Sequence, residues 1–314
     1  MARVLVTGAT GGLGRALIKS LLRRERRVLG VAAHTPANGD TGCEELIVAD
    51  IAQVEWGQML AGCETLFHLA SYVHKPIRNE SDRTAAWRTN VDATVRLAEA
   101  CRRHGTLLIF ASSVAALQCG PAEQQAPSYY AKTKWSAERQ IQSQAGLRFV
   151  ILRFPLLYGP AGRGNMERLL RAIHRRRYWP IGPSTAKKSC LFFDDAAQAL
   201  LQASDAPGAL GGTFVVAPPA PVTLGEIHSC AFAAFGRSPP PAIPLPLVTV
   251  LTRLVDAASP YLLAHATSLT ESARTLVSDA AFDGSAFAQT CGFTPRVDLK
   301  TGLKATADWI RGNA

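Results

Sequence analysis

The sequence predicts a doubly wound α/β fold, a parallel sheet with helices on both faces, followed by a smaller and mostly helical C-terminal region. Three observations carry this. Strand and helix patterns alternate through the first half of the chain. A strand, Val4-Leu5-Val6, runs straight into the glycine-rich segment Thr7-Gly8-Ala9-Thr10-Gly11-Gly12-Leu13-Gly14. After Pro155 the alternation gives way to helices without a strand between each. With 314 residues, 47% of them apolar, the chain can bury a sizeable core as one large domain or two ordinary ones.

Val4 to Val6 is the first strand, and Leu13, Leu17 and Leu21 then recur at helical spacing. Residues 27–33 read as the second strand. Leu46-Ile47-Val48 is a short strand ending at Asp50, and residues 65–69 form the next. A long helix over residues 85–103 places Trp87, Val91, Val95 and Ala98 on one face. Residues 107–111 are a strand, 130–144 a helix and 149–152 a strand. In the second half, Met166, Leu169, Leu170 and Ile173 mark a helix, and residues 194–203 mark another. Thr223-Leu224-Gly225-Glu226 fits a capping box that opens a third. Residues 238–246 are proline-rich and extended, and a last helix over 299–311 turns Leu299, Leu303, Ala307 and Ile310 inward. The expected division is 1–158 for the sheet domain, with later returns near 188–217, and 159–314 for a region closing over the sheet's C-terminal edge.

The net charge of +10 calls for an anionic partner. The basic residues cluster at Arg23-Arg24 with Arg26-Arg27, at Arg175-Arg176-Arg177 and at Lys187-Lys188. The first cluster reads as a solvated helix end, where arginine offsets the dipole. No zinc-finger or basic-heptad pattern accompanies these runs, so nucleic acid is not the expected partner. Seven cysteines without a Cys-x-x-Cys pair fit reduced thiols in a cytoplasmic protein with no metal site. The N-terminus enters the first strand at once, which leaves no room for a signal peptide. The apolar stretch 242–263 carries Pro244, Pro246, Arg253, Asp256 and Pro260, so no membrane span is expected.

Gly8, Gly11 and Gly14 are spaced G-x-x-G-x-x-G between a strand and a helix. In that context the first glycine allows a tight turn, the second lets the backbone approach a pyrophosphate and the third packs helix against strand. The turn is a Rossmann-type site for a dinucleotide. The tip of the second strand, Val31-Ala32-Ala33-His34, has no acid for a ribose 2′-hydroxyl. His34, helped by Arg15, favours a 2′-phosphate, hence NADP(H) over NAD(H). Tyr130 and Lys134 lie four apart, on one helix face. A lysine ammonium there favours the phenolate and lowers a tyrosine value that starts near 10. Tyr129 has Thr133 as its fourth neighbour and reads as packing or pocket lining. Ser112-Ser113 end a strand at the sheet's ligand edge, where a hydroxyl can hold a substrate oxygen.

The order of glycine turn, Asp50, His68-Leu69-Ala70, Asn90-Val91, Ser112-Ser113 and Tyr130-x-x-x-Lys134 resembles the extended short-chain dehydrogenase/reductase family. These are NAD(P)-dependent sugar epimerases, dehydratases and 4-ketoreductases. Arg153-Phe154-Pro155-Leu156-Leu157-Tyr158-Gly159-Pro160 is similar to the family's strand and loop leading to its substrate region. Gly164-Asn165-Met166 is similar to its glycine-asparagine turn, residues 188–195 to its later strand and helix start, and Cys291-Gly292-Phe293-Thr294-Pro295 to its C-terminal element. Ser71-Tyr72-Val73-His74 and the Pro-Leu-Pro-Leu run at 244–247 resemble enzymes acting at C4 of UDP-N-acetylated sugars.

The resemblance implies Tyr130 as general acid/base, Lys134 as its helper and as holder of the nicotinamide ribose, and Ser113 as the catalytic serine ahead of Ser112. It implies a cofactor cradle of Gly8, Thr10, Gly11, Gly12, Leu13, Gly14, His34, Asp50, Ile51, Leu69, Ala70, Ser71, Asn90, Ala111, Ser112, Phe154 and Pro155, with Tyr130 and Lys134 beside it. Asp50 would meet the adenine, and Asn90 would act in support. Ser113, Tyr130 and Asn165 would touch a nucleotide-diphosphate sugar, with Arg175–Arg177 and Lys187–Lys188 as candidates for its diphosphate. A homodimer through a four-helix contact is implied as well. Two departures stand out: Ala116-Leu117-Gln118-Cys119-Gly120 holds no tyrosine where many epimerases have one, and the strand-two acid is absent. Two other readings stay open, a reductase of an apolar ketone or alcohol on the same scaffold and a non-catalytic NAD(P)-sensing regulator.

Overall fold

The computed structural model describes residues 3–35, 41–73, 77–119, 126, 128–182, 184–258 and 277–313. His74, Gly120 and the end of the 242–263 stretch lie outside them. Seven parallel strands form the main sheet: β1 (Arg3–Thr7), β2 (Arg27–Ala32), β3 (Glu45–Val48), β4 (Cys63–His68), β5 (Leu107–Ser113), β6 (Phe149–Phe154) and β10 (Thr213–Val215). Their order is β10-β6-β5-β4-β1-β2-β3. Strand order therefore reverses at β1, with β2 on one side and β4 on the other. Ligand crevices form outside the carboxyl ends of strands at such a reversal.

The alternation of strand side chains builds a core on each face. On one face Val4, Val6, Phe67, Ile109 and Val150 meet α1 (Gly12–Arg23) and α7 (Phe193–Asp205), joined by Phe287 of α10 (Ser285–Cys291) and by Phe293. On the other face Leu5, Leu29, Leu66, Leu108 and Phe110 meet α2 (Trp56–Leu60), α4 (Ala93–His104) and α5 (Tyr129–Gln142). A third core joins Met166, Leu170 and Ile173 of α6 (Asn165–His174), Ile227 and Phe232 of α8 (Leu224–Ala233), and Leu303 and Ile310 of α11 (Leu299–Gly312). The second half of the chain thus feeds β10, α7 and α10 back to the sheet while α6, α8 and α11 pack together. Two small ladders flank it, β7 (Leu156–Tyr158) with β9 (Cys190–Phe192) and β8 (Lys187–Lys188) with β11 (Val222–Thr223).

The capping box at Thr223 and Glu226 is present as the sequence indicates. The long helix differs. It starts earlier, at α3 (Glu80–Trp87), where Asn79 caps the end by accepting from the Asp82 N–H at 2.9 Å. A π turn, Arg88–Asp92, then separates α3 from α4. The extra residue in that turn shifts the helical phase. Asn90, Val91, Thr94, Leu97 and Cys101 face inward, and Trp87 and Val95 are half-buried. The extended proline-rich run stops at Pro244, because Pro246 falls in the first turn of α9 (Leu245–Ala258), where its missing N–H is not needed.

Among the described residues no helix is long and apolar enough to cross a membrane, and no cluster of metal-ligating side chains occurs. All seven cysteines are thiols. The arginine cluster after α1 is ion-paired, Arg24 with Asp205 at 2.6 Å, Arg26 with Glu64 at 3.1 Å, and Arg27 with Glu44.

Candidate active site at the sheet's C-terminal edge

The glycine turn crosses from β1 to α1. Gly8 sits at φ +72°, and a Cβ there would come within 2.9 Å of the Ala70 N. A Cβ on Gly14 would lie 2.2 Å from the Gly8 carbonyl oxygen, so helix and strand meet too closely for any side chain. Gly11 at the N-cap of α1 supplies no side-chain cap, and the first turn holds no acid. An uncapped helix N-terminus without a nearby carboxylate suits an anion, so the residues present fit the pyrophosphate of a dinucleotide. Thr10, Gly12 and Leu13 complete this turn, and the Arg15 side chain donates back to the Thr10 carbonyl at 3.2 Å.

Beside it lies a buried network. The Leu69 and Ala70 N–H groups each donate to Thr7 Oγ1 at 3.2 Å. Thr7 Oγ1 also meets His68 Nδ1 at 2.7 Å, and His68 Nε2 meets Thr94 Oγ1 at 2.9 Å. Thr94 spends its proton on the Asn90 carbonyl at 2.8 Å. His68 Nε2 must therefore donate to Thr94, and Nδ1 must accept from Thr7. This fixes a neutral ring. Burial, helped by the Lys134 charge, pushes His68 down to about 3.

Asn90 ties the loop after β4 to α5. Its Oδ1 accepts from the Ser71 hydroxyl at 3.0 Å and the Tyr72 N–H at 2.7 Å, and its Nδ2 donates to Thr133 at 3.0 Å. Thr133 donates in turn to the Tyr130 carbonyl at 2.9 Å. The supporting role implied for Asn90 thus has a definite form. No periodicity in the sequence marks the π turn that aims Asn90 inward, although Asn79 three residues before Asp82 is a legible helix start.

α5 begins at a Ser128 cap, whose hydroxyl accepts from the Ala131 N–H at 3.1 Å. This puts Tyr130 in the first turn and Lys134 one turn on. Lys134 is 3% exposed. Its Nζ donates to the Ala111 carbonyl at 2.9 Å and stands 4.7 Å over the Phe110 ring. Burial lowers Lys134 to about 8, opposed by the Glu138 charge. Burial pushes Tyr130 up to about 12, partly offset by a hydrogen bond with Ser113. The lowering of Tyr130 by Lys134 expected from their spacing is therefore not what this geometry gives. The ammonium is drawn to Ala111, and the phenol is poised by Ser113.

The two serines part company because successive strand residues face opposite sides. Ser113 faces Tyr130 and caps the 3₁₀ turn Val114–Gln118 by accepting from Ala115 N at 3.2 Å. Ser112 turns its hydroxyl away from that edge and donates to Glu138. Any contact of Ser112 with a cofactor would be through its backbone. Phe154 and Pro155 are buried at the end of β6.

Asp50 caps the 3₁₀ turn Ile51–Gln53, accepting from Ala52 N at 3.0 Å, and pairs with Arg88. His34 is exposed just past β2. Asn165 is exposed in the first turn of α6, whereas Arg175–Arg177 wrap its C-terminal end, with Arg176 at φ +59°. Ten residues of helix, about 15 Å, separate the two sets. Lys188 Nζ donates to the Ser278 carbonyl at 2.6 Å, and the Lys187 side chain is exposed. The Arg175–Arg177 run thus stands a helix length from Asn165. Tyr129 lies under the Arg83 guanidinium at 5.9 Å, a packing contact.

Asp195 in the first turn of α7 accepts from the N–H groups of Arg296 at 2.9 Å and Val297 at 3.0 Å. This fastens the segment after Cys291-Gly292-Phe293 to the sheet domain.

The glycine turn, the sheet order and the Ser-Tyr-Lys placement coincide with a match of residues 4–217 to the model of the NAD dependent epimerase/dehydratase family. The chain belongs to this family. A 2-alkyl-3-oxoalkanoate reductase of Stenotrophomonas maltophilia is 29% identical over 74% of this chain and 76% of its own length. A UDP-glucose 4-epimerase of Vibrio cholerae is 27% identical over 71% and 73%. The structure of MoeE5 in complex with UDP-glucuronic acid and NAD superposes with a TM-score of 0.75 at 25% identity, covering 99% of this chain and 100% of that one. The preference for NADP(H) drawn from His34 gains no support from it.

Proposed function

We propose that the protein transfers hydride between NAD and a carbon, C4, of a nucleotide-diphosphate sugar, with Tyr130 as general acid/base. The observation that carries this reading is the Ser113–Tyr130 contact with the buried Lys134 behind it, at the strand ends beside a glycine turn that fits a dinucleotide. MoeE5, with its UDP-sugar and NAD, supports the substrate class. The nicotinamide, when bound, supplies the hydride acceptor or donor. Ser113 holds the sugar oxygen. Tyr130 gives its proton to a keto oxygen during reduction, or takes the hydroxyl proton during oxidation. Burial and the Ser113 hydrogen bond set how tightly it holds that proton. An added positive charge beside the ring would draw it toward the base form. Lys134 orients the ribose, Leu69 and Ala70 border the cofactor, and Asn165 meets the nucleotide. A homodimer in the cytoplasm belongs to the same proposal, and its mass in solution tests the oligomer.

A second reading, reduction of an apolar ketone, draws on α9, where Leu247, Val250 and Leu251 are exposed on one face, and on the 2-alkyl-3-oxoalkanoate reductase among the relatives. One panel separates the two. The purified protein is offered NAD+ with UDP-sugars, and NADH with their 4-keto forms and with medium-chain 3-oxo compounds, while cofactor absorbance and sugar NMR are followed. The sugar reading expects consumption or epimerisation of a UDP-sugar. Turnover of the 3-oxo compounds alone overturns it. Tyr130→Phe should lower kcat about 10²–10⁴-fold with the cofactor still bound, and retained turnover removes the role given to Tyr130.

A further inference from the structure

We propose that Glu138 is a positioning residue of this site, one that locks the Ser113 strand end to the Tyr130 helix and holds a negative charge against Lys134. The sequence motifs do not use it. Glu138 follows Lys134 by four residues and Tyr130 by eight, so the three share one stripe of α5. It is 1% exposed, a burial that a carboxylate tolerates only when fully partnered. The partners are present. Arg153 Nε lies 3.0 and 3.1 Å from its two oxygens, Arg153 NH2 lies at 2.5 Å, and the Ser112 hydroxyl donates to Oε1. Ser112 and Arg153 are direct neighbours across β5 and β6.

One carboxylate thus ties α5 to the ends of two strands. Lys134, reaching Ala111 O one residue before Ser112, makes the second tie. Together they fix the roll of α5 over β5, and with it the distance from Tyr130 to Ser113. The charge has a separate effect. Glu138 favours the protonated form of Lys134 against burial. The charged or titratable groups coupled to this pair are His68 on β4, which senses the Lys134 charge, Arg153 on β6, which pairs with Glu138, and Cys119 beyond the 3₁₀ turn, which senses Glu138. His68 is neutral, so Glu138 is the negative partner among them.

The activity arm of this inference rests on the proposed hydride transfer, and the binding arm does not. Glu138→Gln keeps the shape and removes the charge. The measurements are NADH affinity by fluorescence from pH 6 to 10, the pH profile of kcat/KM on the substrate found by the panel, and thermal melting. The expected result is a folded variant in which the loss of NADH binding on the alkaline side begins about one pH unit lower than in wild type. A fall of at least tenfold in kcat/KM is also expected, with Glu138→Asp recovering most of it. A folded variant with an unmoved binding profile overturns the proposal. Should Glu138→Gln unfold, the double variant Glu138→Gln/Arg153→Gln leaves no unpaired buried charge; with an opposite pair removed, its alkaline limit of NADH binding should stay near wild type while kcat/KM still falls at least tenfold, and a wild-type kcat/KM overturns the proposal. If no UDP-sugar reacts with wild type, the functional reading fails, and the binding profile still decides the role of Glu138.

Discussion

Thr7→Val tests the cradle beside the glycine turn with a change of one hydroxyl for one methyl. Thr7 is fully buried. Its hydroxyl accepts from Leu69 N and Ala70 N and donates to His68 Nδ1. Valine keeps the volume and removes all three bonds, orphaning the Ala70 N–H and His68 Nδ1 while the Leu69 N–H keeps the Thr7 carbonyl at 3.3 Å. At about 1 kcal/mol for each lost hydrogen bond, the variant should lose about 3 kcal/mol. For a chain of 314 residues the unfolding entropy is about 0.7 kcal/mol/K, so the melting temperature should fall by about 4–5 °C. The loss is also local. The Ala70 amide lies where a Cβ on Gly8 would press, and the Leu69-Ala70 backbone borders the phosphate turn. NADH affinity should weaken about tenfold, equivalent to about 1.4 kcal/mol. Thermal melting and NADH fluorescence titration at pH 7.5 read the two effects. A variant that melts within about 1 °C of wild type and binds NADH equally well would refute the network's part in shaping the cradle.

His68 makes stability depend on pH. Its folded value is about 3, against 6.5 for a free ring, so between those limits only the unfolded chain binds the proton. The contribution is complete above about pH 6.5 and drains as pH falls, reaching about 2.7 kcal/mol lost at pH 4.5. Urea midpoints at pH 7 and 4.5 should differ less in His68→Gln than in wild type, and equal differences would contradict the assignment. Asp195→Ala strips two backbone donors of a buried acceptor, at about 3 kcal/mol, and should lower the melting temperature by about 5 °C, with Asp195→Asn falling less. Because the released segment leads into α11, the sugar KM should rise more than the NADH dissociation constant; an unchanged KM would separate α11 from substrate binding.

Much of this protein is legible in its sequence by itself. Alternation of apolar runs gives the parallel sheet, because strands buried on both faces need helices between them. Gly8 and Gly14 announce the turn, because backbone packed within 3 Å of a Cβ position admits no other residue. Tyr130 and Lys134 announce themselves by helical spacing, a purely local property. Tertiary structure alone decides the rest. It puts Asn90 inward through a π turn that no periodicity marks, and it separates Ser112 from Ser113 by the pleat of β5. It draws the Lys134 ammonium to Ala111 rather than to the phenol. Most telling is Glu138, an ordinary helix acid in the sequence. It becomes the buried link between α5, Ser112 and Arg153 because burial and charge pairing depend on strands brought together across the fold. Local spacing records which side chains share a face, while only packing records which of them find a partner there.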